Sequence, residues 1–399
     1  MKLLSKPNAT RHLFFIFSLA AIQGLTLNLM PVMFRPLEQA FHISLAEQGQ
    51  LQSLFFAGAV VALLASGWVT ERIGIRRSGF LPAPLLAAGM ITFGMAPGFS
   101  WSLIGAGMIG LGNQWVLAVN SAVITAGFPE ARSKLFMWVA AAFAAAASVS
   151  PPALGFALTH FGEWRSVFVG GGIVIGVAGF LLDRLLGSHL ASVPVPKEPE
   201  RALPSRELLL SPTLWLIGFL VVLDQIAAGA IVSWTPRLLQ LRYQATDQQA
   251  SYVLSLQAIG VFAGRVFLGS LIAGRFTDRT ILAICYGLGM LIYGVLLAGN
   301  DLVAALVLMT VVGALLAAQA PTIYSITSRK FAARAAVAVP LVDMIGSFGG
   351  IFTPTLIGML ADRLGHLDRA IWWALVAGLL LSLITLVWQY ADRLRGDTE

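Results

Sequence analysis

Long apolar runs separated by short polar turns make up most of this 399-residue chain. Twelve runs have helical length, near 12–34, 47–70, 79–96, 99–125, 135–159, 164–186, 212–235, 248–273, 280–298, 301–327, 336–361 and 368–390. A helix rises 1.5 Å per residue, so about 20 mostly apolar residues cross the hydrocarbon core of a bilayer. The pattern therefore predicts twelve membrane helices, spans 1 to 12, in an all-α membrane protein. The first run is longer than a signal-peptide core and no small-residue cleavage site follows it, so it reads as span 1.

The polar segment 187–209 contains Pro194, Pro196, Pro199 and Pro204 among charged residues and reads as an extended linker. It divides the chain into a first six-span bundle, 1–186, and a second, 210–399.

Composition agrees with bilayer embedding. Charged residues are 11% of the chain, against roughly 25% in an average soluble domain. Apolar residues reach 57%, and mean hydropathy is +0.81. So few charges could not cover the surface of a soluble protein. Of the 26 Lys and Arg residues, only Arg35, Arg165, Arg237, Arg242, Arg363 and Arg369 fall on the far side of the spans. Arg265 lies within a span, and the rest share the side of the termini. Because cytoplasmic loops retain positive charge, both termini are expected in the cytoplasm. The net charge of +7 arises mainly from this bias and does not point to nucleic acid. The single cysteine, Cys285, excludes an internal disulfide framework and a cysteine metal cluster.

Several polar features recur at half the chain length. Gly67-Trp68-Val69-Thr70-Glu71-Arg72-Ile73-Gly74-Ile75-Arg76-Arg77 has a shorter copy in Gly274-Arg275-Phe276-Thr277-Asp278-Arg279. Ser44 with Glu47, and Thr246 with Gln249, form capping boxes that would open spans 2 and 8. Pro31 and Pro236 are placed to end spans 1 and 7. Pro152 to Gly155 in span 5 answers Pro354 to Gly358 in span 11. Ile124-Thr125 before Phe128 and Arg132 resembles Ile326-Thr327 before Phe331 and Arg334. Duplication of one six-span unit accounts for offsets that cluster so tightly, and repeats of this kind are a mark of secondary transporters.

With these residues in view, the chain resembles the major facilitator superfamily over nearly its full length. Segment 67–77 is similar to that family's signature loop between helices 2 and 3, with Glu71 where Asp is commoner. Gly162-Glu163-Trp164-Arg165 is similar to its turn between helices 5 and 6. Two features depart from drug–proton antiporters of the family. Span 4 reads Gly110-Leu111-Gly112-Asn113-Gln114 with no basic residue, and Ser150-Pro151 stands where the span 5 signature has Gly-Pro. The resemblance implies two pseudo-symmetric six-helix bundles rocking around a midplane site. It also implies a gate that latches the outward-open state, formed by Gly67, Glu71, Arg72, Gly74, Arg76 and Arg77 with the second copy's Asp278 and Arg279. Physically, the two glycines permit close helix contact and a sharp turn. Glu71 suits a helix N-terminus, that of span 11 being the expected one, and the arginines suit carboxylates or headgroups.

Ionisable residues inside membrane spans are costly and are functional candidates by default. Asp224 lies mid-way along span 7. Arg265 lies in span 8, about 14 Å from its cytoplasmic end at the helical rise. Asp343 is about two turns into span 11 and is assigned to the gate, near Arg72 or Arg76. In Gly264-Arg265-Val266-Phe267-Leu268-Gly269, Arg265 resembles the helix 8 arginine of monocarboxylate and oxalate carriers. A guanidinium holds a carboxylate through two parallel hydrogen bonds. The alternative is an internal pair with Asp224 or Asp343, and a substrate could displace such a partner. Asp224 is the candidate for proton coupling, with a permanently paired structural aspartate as its alternative.

Helices 1, 4, 7 and 10 line the pathway in the resembled family, so polar groups there gain interest. Gln23 and Asn28 in span 1, Asn113, Gln114, Trp115 and Asn120 in span 4, Trp234 in span 7, Gln257 in span 8, and Gln319 and Tyr324 in span 10 are candidate substrate contacts. Each could equally make an interhelical hydrogen bond. Pro321-Thr322-Ile323-Tyr324 also resembles the fucose-permease branch, which keeps a neutral sugar open.

No phosphate-binding glycine loop, catalytic carboxylate pair or nucleophile constellation occurs in the sequence. The histidines are too scattered for a metal site. The expectation is a non-enzymatic secondary carrier in a bacterial-type inner membrane, moving a small organic anion with a proton. A neutral sugar, an exported amphiphile or a non-transporting sensor remain alternatives. The expected partners are the solute, the proton and the lipid bilayer, with no nucleic acid, no cofactor, no metal and a monomeric chain.

Overall fold

The computed structural model describes residues 9–190, 206–268 and 275–394. Among these, every regular element is helical. Eleven helices are long and apolar enough to cross a membrane, and Pro82–Gly94 is a shorter apolar helix in the place of span 3. We number the helices α1 (Ala9–Leu27, followed by Leu29–Val32 and Phe34–Phe41), α2 (Leu45–Phe80), α3 (Pro82–Gly94), α4 (Phe99–Gly127), α5 (Arg132–Phe161) and α6 (Trp164–Leu190). The second half contains α7 (Pro212–Tyr243), α8 (Asp247–Ala263, continued by a π turn at Gly264–Leu268) and α9 (Asp278–Ala298). It ends with α10 (Leu302–Leu316 and Gln319–Lys330), α11 (Ala335–Leu364) and α12 (Leu367–Leu394).

The chain forms two compact units, one from the segments before residue 201 except Ser44–Gly49, the other from Ser44–Gly49 and the segments after residue 200. Each repeats the same packing. In the first, α1 packs on α5, and α3 packs on α4 and α6; in the second, α7 packs on α11, and α9 on α10 and α12. The crossing of α2 with α4 is built on glycine: a Cβ on Gly58 or Gly110 would overlap the carbonyl of Gly107 or Phe55. The α8–α10 crossing repeats this, with Gly260 against the Thr310 carbonyl and Gly313 against that of Gln257. Small residues let two backbones approach where lipid supplies no hydrophobic drive for association.

The two capping boxes form as their spacing requires. Ser44 and Glu47 exchange bonds of 2.8 and 3.3 Å at the start of α2, and Thr246 and Gln249 exchange bonds of 3.0 and 3.1 Å at the start of α8. The turns after α4 and α10 also match. Phe128 and Phe331 each close the preceding helix, and a 3-10 turn then leads into the next.

Some expectations need correction. Pro236 does not end span 7, because α7 continues to Tyr243. Its ring removes one backbone donor, but Ser233 to Gln240 are all buried, and packing holds the helix through the defect. Pro31 instead sits in the short Leu29–Val32 turn, just after the real break at Asn28. Both ends of the linker 187–209 are helical, since α6 runs to Leu190 and Arg206–Leu209 forms a turn. Residues 191–205, and Gly274 of the second signature copy, lie outside the described residues.

Candidate functional site

Two helix irregularities meet in the second unit. In α8 the backbone widens into the π turn Gly264–Leu268. In α10 the helix breaks at Ala317–Ala318, because Pro321 has no N–H to offer the Ala317 carbonyl. The two lie close together, since a Cβ on Gly264 would overlap the Ala314 carbonyl. Interrupted membrane helices expose backbone and side-chain polar groups at depth, and they are favoured places for solute sites.

Arg265 sits in that π turn. It makes no hydrogen bond or ion pair with any described residue, and neither Asp224 nor Asp343 pairs with it. Tyr324, nearly two turns beyond the α10 break, lies within electrostatic range of Arg265 and also of Asp224. Its hydroxyl donates a 2.8 Å hydrogen bond to Asp343 Oδ2 on α11. Asp224 on α7 is 4% exposed and within electrostatic range of Asp343. The Tyr286 hydroxyl from α9 donates to the Asp224 backbone carbonyl at 3.3 Å and lies within electrostatic range of its carboxylate. Five helices thus contribute one cation, two carboxylates and two phenols to one neighbourhood. Gln257 is buried on α8 with its carbonyl against Gly313, Gln319 opens the second half of α10, and Trp234 is fully buried in α7.

In the first unit, the candidates divide. Asn113 donates to the Gln23 carbonyl at 2.8 Å and to Thr26 Oγ1 at 2.9 Å, tying α4 to α1. Asn28 occupies the break after α1 and makes no side-chain cap. Gln114 is half-buried, and Asn120 is buried with neither side-chain atom bonded to a described residue.

A family model described as the Major Facilitator Superfamily matches residues 14–354. The chain belongs to that superfamily. It is a multi-pass membrane transporter of this superfamily, with a small-molecule substrate. The chain is 24% identical over 367 residues to the membrane protein MosC of Rhizobium meliloti, covering 90% of this chain and 86% of that one. Over 98 residues it is 34% identical to the uncharacterized MFS-type transporter YcaD of Escherichia coli O45:K1, a match to 24% of this chain and 25% of YcaD. Among solved folds it is similar to a bacterial homolog of the human lysosomal transporter Spinster, in inward-facing occupied and unoccupied conformations. The TM-scores are 0.72 and 0.73, each at 16% identity; both matches cover 96% of this chain, and 97% and 96% of the homolog.

The superfamily's signature loop is bent at Gly74, whose φ of 82° lies in the left-handed region that only glycine enters without strain. Thr70 and Ser78 brace the bend through a 2.6 Å hydroxyl contact, and Trp115 of α4 donates to Ser78 at 3.2 Å. Gly67 lies half-buried before it. Glu71, Arg76 and Arg77 are exposed and unbonded to described residues, while Arg72 stacks 3.9 Å from the Trp68 ring. The second copy is engaged instead. Asp278 pairs with Arg329, and Arg279 pairs with Asp392 at 2.9 Å over the Trp388 ring. Sequence alone singles out neither Tyr286 nor Asp392. A polar tip on apolar α9 and a carboxylate near the end of α12 were the only signals.

Proposed function

We propose that this superfamily member is a secondary carrier of a small organic anion, moved by alternating access with a co-transported proton across a bacterial inner membrane. The observation that supports this most is Arg265: a guanidinium in a helix irregularity, without a protein counter-ion among the described residues, is a ready partner for a carboxylate. In this reading Tyr324 orients the anion from the neighbouring break. Asp224 takes up the proton, because Tyr324 lies within electrostatic range of Arg265, Asp343 and Asp224, and an anion arriving at Arg265 adds negative charge to that network. Bound proton and anion then travel together. Gln257 and Gln319 are proposed to complete the polar lining within the second unit, with Trp234 as an aromatic wall; Gln23, Asn28, Gln114 and Asn120 are proposed as solute contacts of the first unit. The signature loop, with Asp278 and Arg279, is proposed as the gate; Asp343, expected at the gate near Arg72 or Arg76, is proposed as part of the solute site instead, because its carboxylate accepts a hydrogen bond from Tyr324. The hydrogen-bonded Tyr324–Asp343 pair also suits the hydroxyls of a neutral sugar, which is the second reading.

Proteoliposomes test the proposal. An inward proton gradient should drive accumulation of a short carboxylate by the wild type and not by Arg265→Gln. Carboxylate accumulation preserved in Arg265→Gln would refute the anchor, and accumulation of sugars alone would move the assignment to the second reading.

A further inference from the structure

Away from the transport site, a cleft of about 320 Å³ opens between the start of α9 and the end of α12. Thr280, Leu386, Gln389, Tyr390 and Arg393 line it. Its floor is polar and fixed: Gln389 donates to Thr280 at 2.8 Å and to Thr277 at 3.2 Å. Its lip is amphipathic, because Leu386, Tyr390 and Arg393 are exposed on one face of α12, apolar toward the helix middle and cationic at its end. The carboxylates close by are already engaged. Asp392 holds Arg279 at 2.9 Å and Lys330 at 3.4 Å, and Asp278 holds Arg329. Arg393 is left with no hydrogen bond or ion pair to any described residue, and the same is true of Arg275 in the turn before α9. Basic charge therefore exceeds acidic charge at this end of the unit.

An unpaired arginine beside hydroxyl and amide donors, with an apolar side chain and an interfacial tyrosine next to it, matches one kind of ligand. That ligand carries a phosphate at the membrane surface and a hydrocarbon chain below it. We propose that this cleft binds the headgroup of an anionic phospholipid, with Arg393 on the phosphate, Thr280 and Gln389 on the headgroup oxygens, and an acyl chain along Leu386. The site is separate from Arg265, and the proposal stands whatever the transported solute is.

Native mass spectrometry of the full chain in detergent, titrated with phosphatidylglycerol or phosphatidylcholine of the same acyl chains, tests it. Each surface cation contributes about 1 kcal/mol toward an anionic lipid, so phosphatidylglycerol should bind about five-fold more tightly than phosphatidylcholine. Arg393→Gln should bring the ratio close to one, and Arg393→Lys should retain most of it. Arg184→Gln, at an exposed arginine of the other unit, should leave it unchanged. Melting temperatures of the variants in detergent separate lost binding from lost folding. Absence of a phosphatidylglycerol preference in the wild type, or a preference that survives in Arg393→Gln, would overturn the proposal. Competition by glycerol 1-phosphate as strong as that of the intact lipid would overturn it too, as the mark of a soluble-phosphate site.

Discussion

Tyr324 and Asp343, nineteen positions apart in the chain, are joined by a 2.8 Å hydrogen bond from phenol to carboxylate. The bond links α10 just after its break to α11, and Tyr324 is within electrostatic range of Arg265 as well. One side chain thus touches an acid and senses a cation. Removing the hydroxyl should disturb both. Tyr324→Phe is expected to weaken carboxylate binding about five- to ten-fold, the worth of one hydrogen bond of about 1–1.5 kcal/mol. Titration calorimetry on the purified variant checks this, and unchanged affinity would exclude Tyr324 from the site.

Arg265 should matter more. Two charge-assisted bonds to a carboxylate are each worth about 1.5–3 kcal/mol, so Arg265→Gln is expected to lower affinity by about 100-fold or more. Arg265→Lys should recover only part of this, since an ammonium cannot present a planar fork. Equal affinities in Lys and Arg forms would mean that charge alone is read.

Asp224→Asn keeps the shape of the side chain and its contact with Tyr286 but cannot exchange a proton. Uptake against a gradient should disappear, while substrate exchange between two loaded compartments should persist and lose its pH dependence. Counterflow measured at acidic and neutral pH decides. Exchange that remains as pH-dependent as in the wild type would place the coupling elsewhere.

The glycine crossings should be intolerant of bulk. Gly260→Val drives a side chain into the Thr310 carbonyl, and Gly110→Val into that of Phe55. Each is expected to cost about 1–3 kcal/mol through overpacking. A melt in detergent should show the loss in both halves, and an unshifted midpoint in either would refute close packing there.

For the gate, Glu71→Lys reverses the charge in the bent loop without touching the solute site. It should alter the accessibility of reporter cysteines on the two faces, read in a Cys285→Ser background, while substrate affinity at saturating exchange stays the same. Unchanged accessibility would count against the loop as a latch.

The helical spans, the duplication and both capping boxes were legible in the sequence because each depends on residues near one another in the chain. Hydropathy marks a span locally, and Thr246 caps α8 through Gln249 only three residues away. Arg265 was legible for a different reason: a charge within an apolar run is rare enough to stand out. The π turn around it was not, because no residue in Gly264–Leu268 demands one; the close pressure of Gly264 on the Ala314 carbonyl accompanies it. The α10 break was half legible through Pro321, whereas Pro236 carried the same signal and breaks nothing, because burial on all sides holds α7 together. Tyr286 beside Asp224, and Tyr324 bonded to Asp343, depend on how separate helices pack against one another. Such pairings lie outside what spacing along one strand of sequence can express.

A thermal-shift screen of purified protein reads directly whether Arg265 anchors an anionic solute. Monocarboxylates, dicarboxylates and sugars would be compared at acidic and neutral pH, with wild type and Arg265→Gln side by side. A ligand that binds only the folded state raises its stability by mass action, by about 2.7 kcal/mol at a hundred times its dissociation constant. A class of carboxylates should stabilise the wild type and fail to stabilise Arg265→Gln. Stabilisation by sugars alone, or by carboxylates equally in both proteins, would show that Arg265 does not anchor the solute.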